Sequence, residues 1–210
     1  MSAQGFHLGR WLEQEHGHRG SEFRRRMEAY NQLVLDASLR MTLISKGDRP
    51  KFASRHLTEV LSASVIDLPA DGDEVWDVGS GAGLPGIPLA AARPEVRVVL
   101  VEPRHRRAAF LERAILALGI RNASVQATSI EGLREGRARI LYSRALAWTA
   151  PMLEAAERCG NPDAVIARFG EPTAEPQVQN LPLYGGAPRV LQVWPRTKWA
   201  SLLANGTTNE

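Results

Sequence analysis

The sequence predicts an α/β fold: a central, mostly parallel sheet with helices on both faces and a helical extension at the N-terminus. Three observations carry this. An apolar strand, Val75 to Val78, runs into a turn with glycines at Gly79, Gly81 and Gly83, and a helix signal follows. A second, β-branched run, Val96 to Val101, ends in Glu102, about twenty residues beyond the glycines, the spacing at which a strand-end acid can reach a ribose. Around these runs apolar residues recur at helical spacing, so strands and helices alternate as a parallel sheet with crossovers requires.

In chain order, residues 1–20 show little periodicity. His16-Gly17-His18 is a histidine pair in a Gly-rich stretch and reads as solvated, so no metal site is expected. Phe23, Met27, Tyr30, Val34, Ala37 and Met41 form a helical apolar stripe, with Arg24-Arg25-Arg26 on the other face. After a break at Ser45 to Pro50, the apolar positions Phe52, Leu57, Val60, Leu61 and Val65 predict a second helix ending at Leu68-Pro69. Beyond the glycines, Leu89 to Ala92 continues a helix to Pro94. Leu111, Ala114, Ile115 and Leu118 give the next helix a sheet-facing side, and Gly119 stops it. Ala123 to Ala127 and Arg139 to Tyr142 read as the third and fourth strands. Met152 to Arg158 reads as a helix, Gly160 to Asp163 as a turn, and Ala164 to Phe169 as a fifth strand. Pro182 to Pro188 reads as a loop and Arg189 to Trp194 as the closing strand. The expected organisation is a helical extension over 1–70, a ligand-binding domain over 71–200 and a flexible tail over 201–210.

Composition sets bounds. With 210 residues, 44% hydrophobic and 23% charged, the chain suits one soluble domain with a sizeable core. A single cysteine, Cys159, excludes a disulfide framework and a cysteine-built zinc cluster. No apolar run approaches a membrane span and the N-terminus has no apolar leader core, so a cytoplasmic location is expected. The formal charge of +3 is compatible with nucleic acid, but clustering is more informative. Arg104-His105-Arg106-Arg107 follows Glu102 directly, where it could contact phosphates.

The glycine turn carries the chemistry. Glycines there permit positive φ and let a ligand approach the backbone. Gly81-Ala82-Gly83-Leu84-Pro85-Gly86 matches the dinucleotide pattern G-x-G-x-x-G, so a nicotinamide-dependent oxidoreductase is one reading. Its register is poor, because a dinucleotide loop starts directly after the strand. Asp77-x-Gly79-x-Gly81-x-Gly83 is better placed and resembles the first motif of Rossmann-like methyltransferases, which bind S-adenosylmethionine.

The run Asp77-Val78-Gly79-Ser80-Gly81-Ala82-Gly83-Leu84-Pro85-Gly86-Ile87-Pro88-Leu89-Ala90 resembles the signature of the RsmG (GidB) family of 16S rRNA guanine-N7 methyltransferases. Arg55-His56, Arg106-Arg107-x-x-Phe110-Leu111 and Ser143-Arg144-Ala145 resemble further family landmarks. The likeness implies a Rossmann-like class I methyltransferase fold, S-adenosylmethionine as cofactor and 16S rRNA or the small ribosomal subunit as partner, with a monomer expected. It places the cofactor on Gly79, Gly81, Gly83, Leu84, Glu102, Ile130, Glu131 and Arg144, while the basic clustering after Glu102 makes Arg104, Arg106 and Arg107 the candidate RNA contacts. Guanine N7 has a free lone pair, so direct in-line transfer needs no general base, and no catalytic residue is singled out. Cys159, on a distal helix, is badly placed to be the nucleophile that pyrimidine C5 methylation needs. Glu59 and Val60 also differ from the family pattern, and departures at Thr42, Ile44, Ser129 and Phe169 keep a changed RNA or small-molecule target open.

Overall fold

Short β-branched runs separated by helices assemble into a single seven-stranded sheet in the computed structural model, which describes residues 18–64, 69–144, 146–183 and 189–203. The strands are β1 (Glu74–Val78), β2 (Arg97–Val101), β3 (Ala123–Gln126), β4 (Ala138–Arg144), β5 (Gly160–Gly170), β6 (Gln179–Pro182) and β7 (Val190–Pro195), in the spatial order β3-β2-β1-β4-β5-β7-β6. The first five are parallel, and β7 runs antiparallel to both β5 and β6. β1 and β2 are buried over four of their five residues, which is why both read as continuous apolar runs rather than alternating ones.

The described helices are α1 (His18–Ser38), α2 (Thr58–Ser64), α3 (Gly86–Ala92), α4 (His105–Ala117) and α5 (Ala150–Cys159). One face of the sheet, with Val75, Ile140, Tyr142, Phe169 and Leu191, is covered by α1, α3, α4 and the segment from Phe52 to Leu61. The other face, with Trp76, Leu141, Ile166 and Trp194, is covered by α5 and the closing turn Arg196–Leu202. Helices on both faces and a mostly parallel sheet are therefore present. Phe23, Met27, Tyr30 and Val34 bury the predicted stripe of α1 in the same core as the sheet. Arg24 and Arg26 on its outer face pair with Glu28 and Glu22 four residues away.

Four boundaries differ from expectation. Gly160 to Asp163 is not a turn: it is the start of β5, where Ala138 pairs with Gly160 but Ile140 pairs with Val165, so the extra residues bulge out of the ladder. β6 is unexpected: its last residue, Pro182, opens the stretch read as loop, and four residues are too few to signal a strand. The second helix is a composite: a 3-10 turn at Arg49–Lys51, a wider π-type turn at Phe52–Leu57, and only then α2. Leu202, inside the expected tail, is buried beneath α5, next to Trp199, whose indole N–H donates to the Trp194 carbonyl at 3.0 Å. His16-Gly17 and residues 204–210 lie outside the described residues.

Candidate functional site

The strand order reverses between β1 and β4, and at such a switch point the loops after the strands splay apart to leave a crevice for a ligand. The glycine turn fills one wall of it. Gly79, Gly81 and Gly83 all have positive φ, +75°, +55° and +95°. Gly79 and Ser80 donate to the Val101 carbonyl at 2.9 and 3.1 Å, which ties the turn to the end of β2. The Gly81 amide donates to Glu102 Oε2 at 2.9 Å, and the Arg104 amide to Glu102 Oε1 at 2.9 Å. Glu102 is 3% exposed, and each of its oxygens keeps a lone pair for a hydroxyl donor.

Asp77 ends β1 on the same wall and is 1% exposed. Its Oδ2 accepts the Gly86 amide at 3.0 Å, while Oδ1 is buried with no hydrogen-bond partner. Burial pushes its carboxyl up to about 7; the Gly86 amide, the Ser80 hydroxyl and then Arg144 pull it back.

The backbone donors at the start of α3, where a dinucleotide phosphate would sit, are already committed. Pro85 and Pro88 have no N–H, the Gly86 amide serves Asp77, Ile87 donates to the Gly83 carbonyl at 2.8 Å and Leu89 to that of Pro85 at 3.0 Å. The first turn of α3 thus offers a pyrophosphate nothing, which counts against the dinucleotide reading of the same glycines. S-adenosylmethionine, with a cationic amino group, a ribose and no phosphate, fits what is present: an orphaned carboxylate oxygen on Asp77, a strand-end carboxylate on Glu102, and open space over Gly81, where an added Cβ would meet nothing closer than 3.8 Å.

The remaining predicted residues divide. Leu84 and Ile130 point their side chains into the two cores, which leaves only their backbone for a ligand; Glu131 is exposed in the Ile130–Gly132 turn. Leu146, which the sequence did not single out, stands over Gly79, 3.6 Å from where a Cβ would be. Arg104 and Arg106 are exposed on the rim, but Arg106 reaches the Arg40 carbonyl at 3.3 Å and the half-buried Arg107 the Thr42 carbonyl at 2.6 Å. Both therefore also fasten the chain after α1. Ala145 lies outside the described residues.

Arg144, at the end of β4, is the hub of a charge cluster. Its Nη2 donates to Glu59 Oε2 at 3.1 Å and to His56 Nδ1. Arg189, just before β7, donates to Glu59 Oε1 at 2.5 Å, and His56 Nε2 lies 3.4 Å from Asp48. Burial, then the Arg144 guanidinium, hold His56 below its usual pKa, so it is the neutral acceptor here. Glu59 stands where the family pattern has Asp, and its longer side chain still reaches both guanidiniums. Its place three residues after His56 was the one sequence signal for it. Phe169, where the family has lysine, is a core residue beside Tyr142, with ring centroids 6.3 Å apart. Cys159 is buried at the end of α5, with burial raising its thiol pKa, and takes no part in the crevice.

A cavity of about 240 Å³ lined by Arg139, Val165, Gln177, Gln179, Val193 and Pro195 lies at the other end of the strands and holds no acid or nucleophile. Among the described residues no cluster of metal-ligating side chains occurs, and no helix is long and apolar enough to cross a membrane.

Comparison with known proteins agrees with this geometry. The family model described as GidB, rRNA small subunit methyltransferase G, matches residues 24–171. Ribosomal RNA small subunit methyltransferase G of Mycolicibacterium gilvum is 38% identical over 157 residues, covering 70% of this chain and 65% of that protein. The protein of the same name from Kineococcus radiotolerans is 35% identical over 184 residues, covering 81% of this chain and 69% of its own length. The chain thus spans about two thirds of the length of these relatives. Among solved structures, a SAM dependent methyltransferase from Aquifex aeolicus shares the fold, with a TM-score of 0.53 at 15% identity, over 72% of this chain and 98% of that one. On the family match and the site it explains, the chain belongs to the rRNA small subunit methyltransferase G family.

Proposed function

We infer that this chain is an S-adenosylmethionine-dependent methyltransferase that methylates N7 of a guanine in small-subunit ribosomal RNA. The observation that carries the reading is the glycine turn held between two buried strand-end carboxylates, Asp77 and Glu102, with the amides at the start of α3 already committed within the protein. When bound, the cofactor supplies a methyl group already activated on a sulfonium. Asp77 would hold the cationic amino group, Glu102 would accept hydrogen bonds from the ribose hydroxyls, and the backbone of Ile130 with Glu131 would border the adenine. Guanine N7 brings its own lone pair, so the protein's task is alignment. Methyl transfer from labelled S-adenosylmethionine to small subunits, free 16S rRNA and nucleosides tests this; product at a position other than guanine N7 overturns it. A changed target is the second reading, favoured by the burial of Phe169 where the family pattern carries a cation.

Two cofactor predictions follow from the carboxylates. Glu102→Ala removes one or two charge-assisted hydrogen bonds, about 1.5–3 kcal/mol each, and should raise the dissociation constant of adenosylhomocysteine at least about tenfold. Calorimetry with unchanged affinity means the ribose is held elsewhere. For Asp77 the folded pKa is above the ordinary carboxylate value of 3.8, so its contribution to folding is full below that value and is lost as pH rises through about 7. A cationic ligand favours the ionised form. Affinity should therefore rise with pH up to about 7 and then level, being about tenfold weaker at pH 6 than on the plateau. Asp77→Asn should bind weakly with no such slope, and a slope that persists assigns it to another group.

Arg104 and Arg106 are the exposed cations beside the crevice and the proposed phosphate ligands; Arg107 contributes less because its guanidinium is committed to Thr42. Removing one arginine–phosphate pair should lower the log–log salt slope of RNA binding by roughly 0.7–0.9. Filter binding of a 16S rRNA fragment across a salt series compares wild type with Arg104→Gln/Arg106→Gln. Equal slopes remove these residues from the RNA interface.

A further inference from the structure

We propose that Tyr30, on the N-terminal helix, is a positioning residue for the cofactor turn, acting through the carbonyl of Ala82. The inference rests on reading Gly79 to Gly83 as that turn. Three of its amides are tied to β2 and the acid that follows it: Gly79 and Ser80 to Val101, and Gly81 to Glu102. The Ala82 carbonyl instead accepts from the Tyr30 hydroxyl at 2.8 Å, across 52 residues of sequence. Tyr30 is fully buried, and its ring meets Phe52 edge-on, with centroids 5.9 Å apart and planes at 63°, so the hydroxyl cannot swing away. Burial and the neighbouring Asp77 carboxyl hold the phenol well above its ordinary pKa, so it remains a donor at any working pH, with Arg144 opposing them weakly.

The need for such a donor comes from the glycines. Residues at φ of +75°, +55° and +95° are easily entered by glycine and as easily left, because glycine has little preference between the two signs of φ. A carbonyl fixed from the opposite side selects one conformation before the ligand arrives, and the ligand then loses less affinity to ordering the turn. The N-terminal helix is thereby coupled to cofactor binding, although no residue of α1 belongs to the predicted cofactor set.

Tyr30→Phe keeps the ring and removes only the hydroxyl. In the full chain, calorimetry with S-adenosylhomocysteine should show a dissociation constant raised roughly three- to tenfold, the worth of one hydrogen bond. Hydrogen exchange at the Gly81 and Gly83 amides of the ligand-free protein should quicken while the amides of α1 do not. Phe23→Leu, on the same buried face two turns earlier, is the control: it lowers the melting temperature and leaves the affinity unchanged. Equal affinity in Tyr30→Phe and wild type overturns the proposal, as does an equal loss in Phe23→Leu, which reduces the effect to general stability. A wild-type protein that binds no adenosylhomocysteine overturns the cofactor reading itself, and with it this role.

Discussion

A Gly81→Val protein is expected to fold and to bind no measurable adenosylhomocysteine. At Gly81 the backbone sits at φ +55°, and a Cβ there would meet only the Gly79 carbonyl at 3.8 Å and an Arg107 nitrogen at 4.0 Å. Space is therefore available in the protein alone, and the cost to folding is the left-handed backbone strain, about 1–2 kcal/mol. The same open volume is where a ligand must lie against the turn, and two methyl groups would occupy it. Affinity should fall by about a hundredfold or more, ~2.8 kcal/mol at 1.4 kcal/mol per decade. Gly83 is different in kind. At φ +95° its Cβ would come within 2.6 Å of Ile87 and 3.0 Å of Leu111, so Gly83→Val should disrupt the core and lower stability outright. Thermal melts and calorimetry on the two variants separate the cases. A folded Gly81→Val protein with retained affinity removes the turn from the ligand site.

Glu59→Gln should be among the most destabilising single-atom changes in the molecule. The Glu59 side chain is 5% exposed and lies between two guanidiniums that are themselves 20% and 30% exposed. Replacing the carboxylate leaves Arg144 and Arg189 facing each other across a neutral amide, with little water to screen them. Breaking a buried pair in this way costs about 3 kcal/mol. For a chain of this size that is a fall in melting temperature of roughly 6–12 °C. Adding Arg189→Met to Glu59→Gln removes one uncompensated charge and should restore part of the stability. An unchanged melting temperature in the single variant, or no recovery in the double, shows that solvent supports these arginines.

The same cluster corrects the weight given to sequence departures. Glu59 departs from the Asp of the family pattern, yet one extra methylene leaves its carboxylate within 2.5 and 3.1 Å of the two arginines. Thr42 is a departure whose bond to Arg107 uses its backbone carbonyl, which any residue supplies. Phe169 is the departure that keeps its force, because it replaces a cation with a packed ring at the end of β5, in register with Arg144.

What the sequence by itself determined was local. The strands β1 and β2 were legible as apolar runs because both faces are covered, α1 and α4 as stripes because only one face is, and the turn because three glycines at alternate positions admit the positive φ it needs. The acids Asp77 and Glu102 were placed by strand ends alone, beside the glycine turn. The bulge at the start of β5, the strand β6 and the composite second helix escaped, since pairing partners and packing, not local propensity, set them. Only the tertiary structure decided that Tyr30 holds the Ala82 carbonyl, that Glu59 joins Arg144 and Arg189, and that Gly81 and Gly83 do different work. Those hydrogen bonds join residues 52, 85 and 130 positions apart, and a bond across such a distance leaves no periodicity in either segment for a sequence to display.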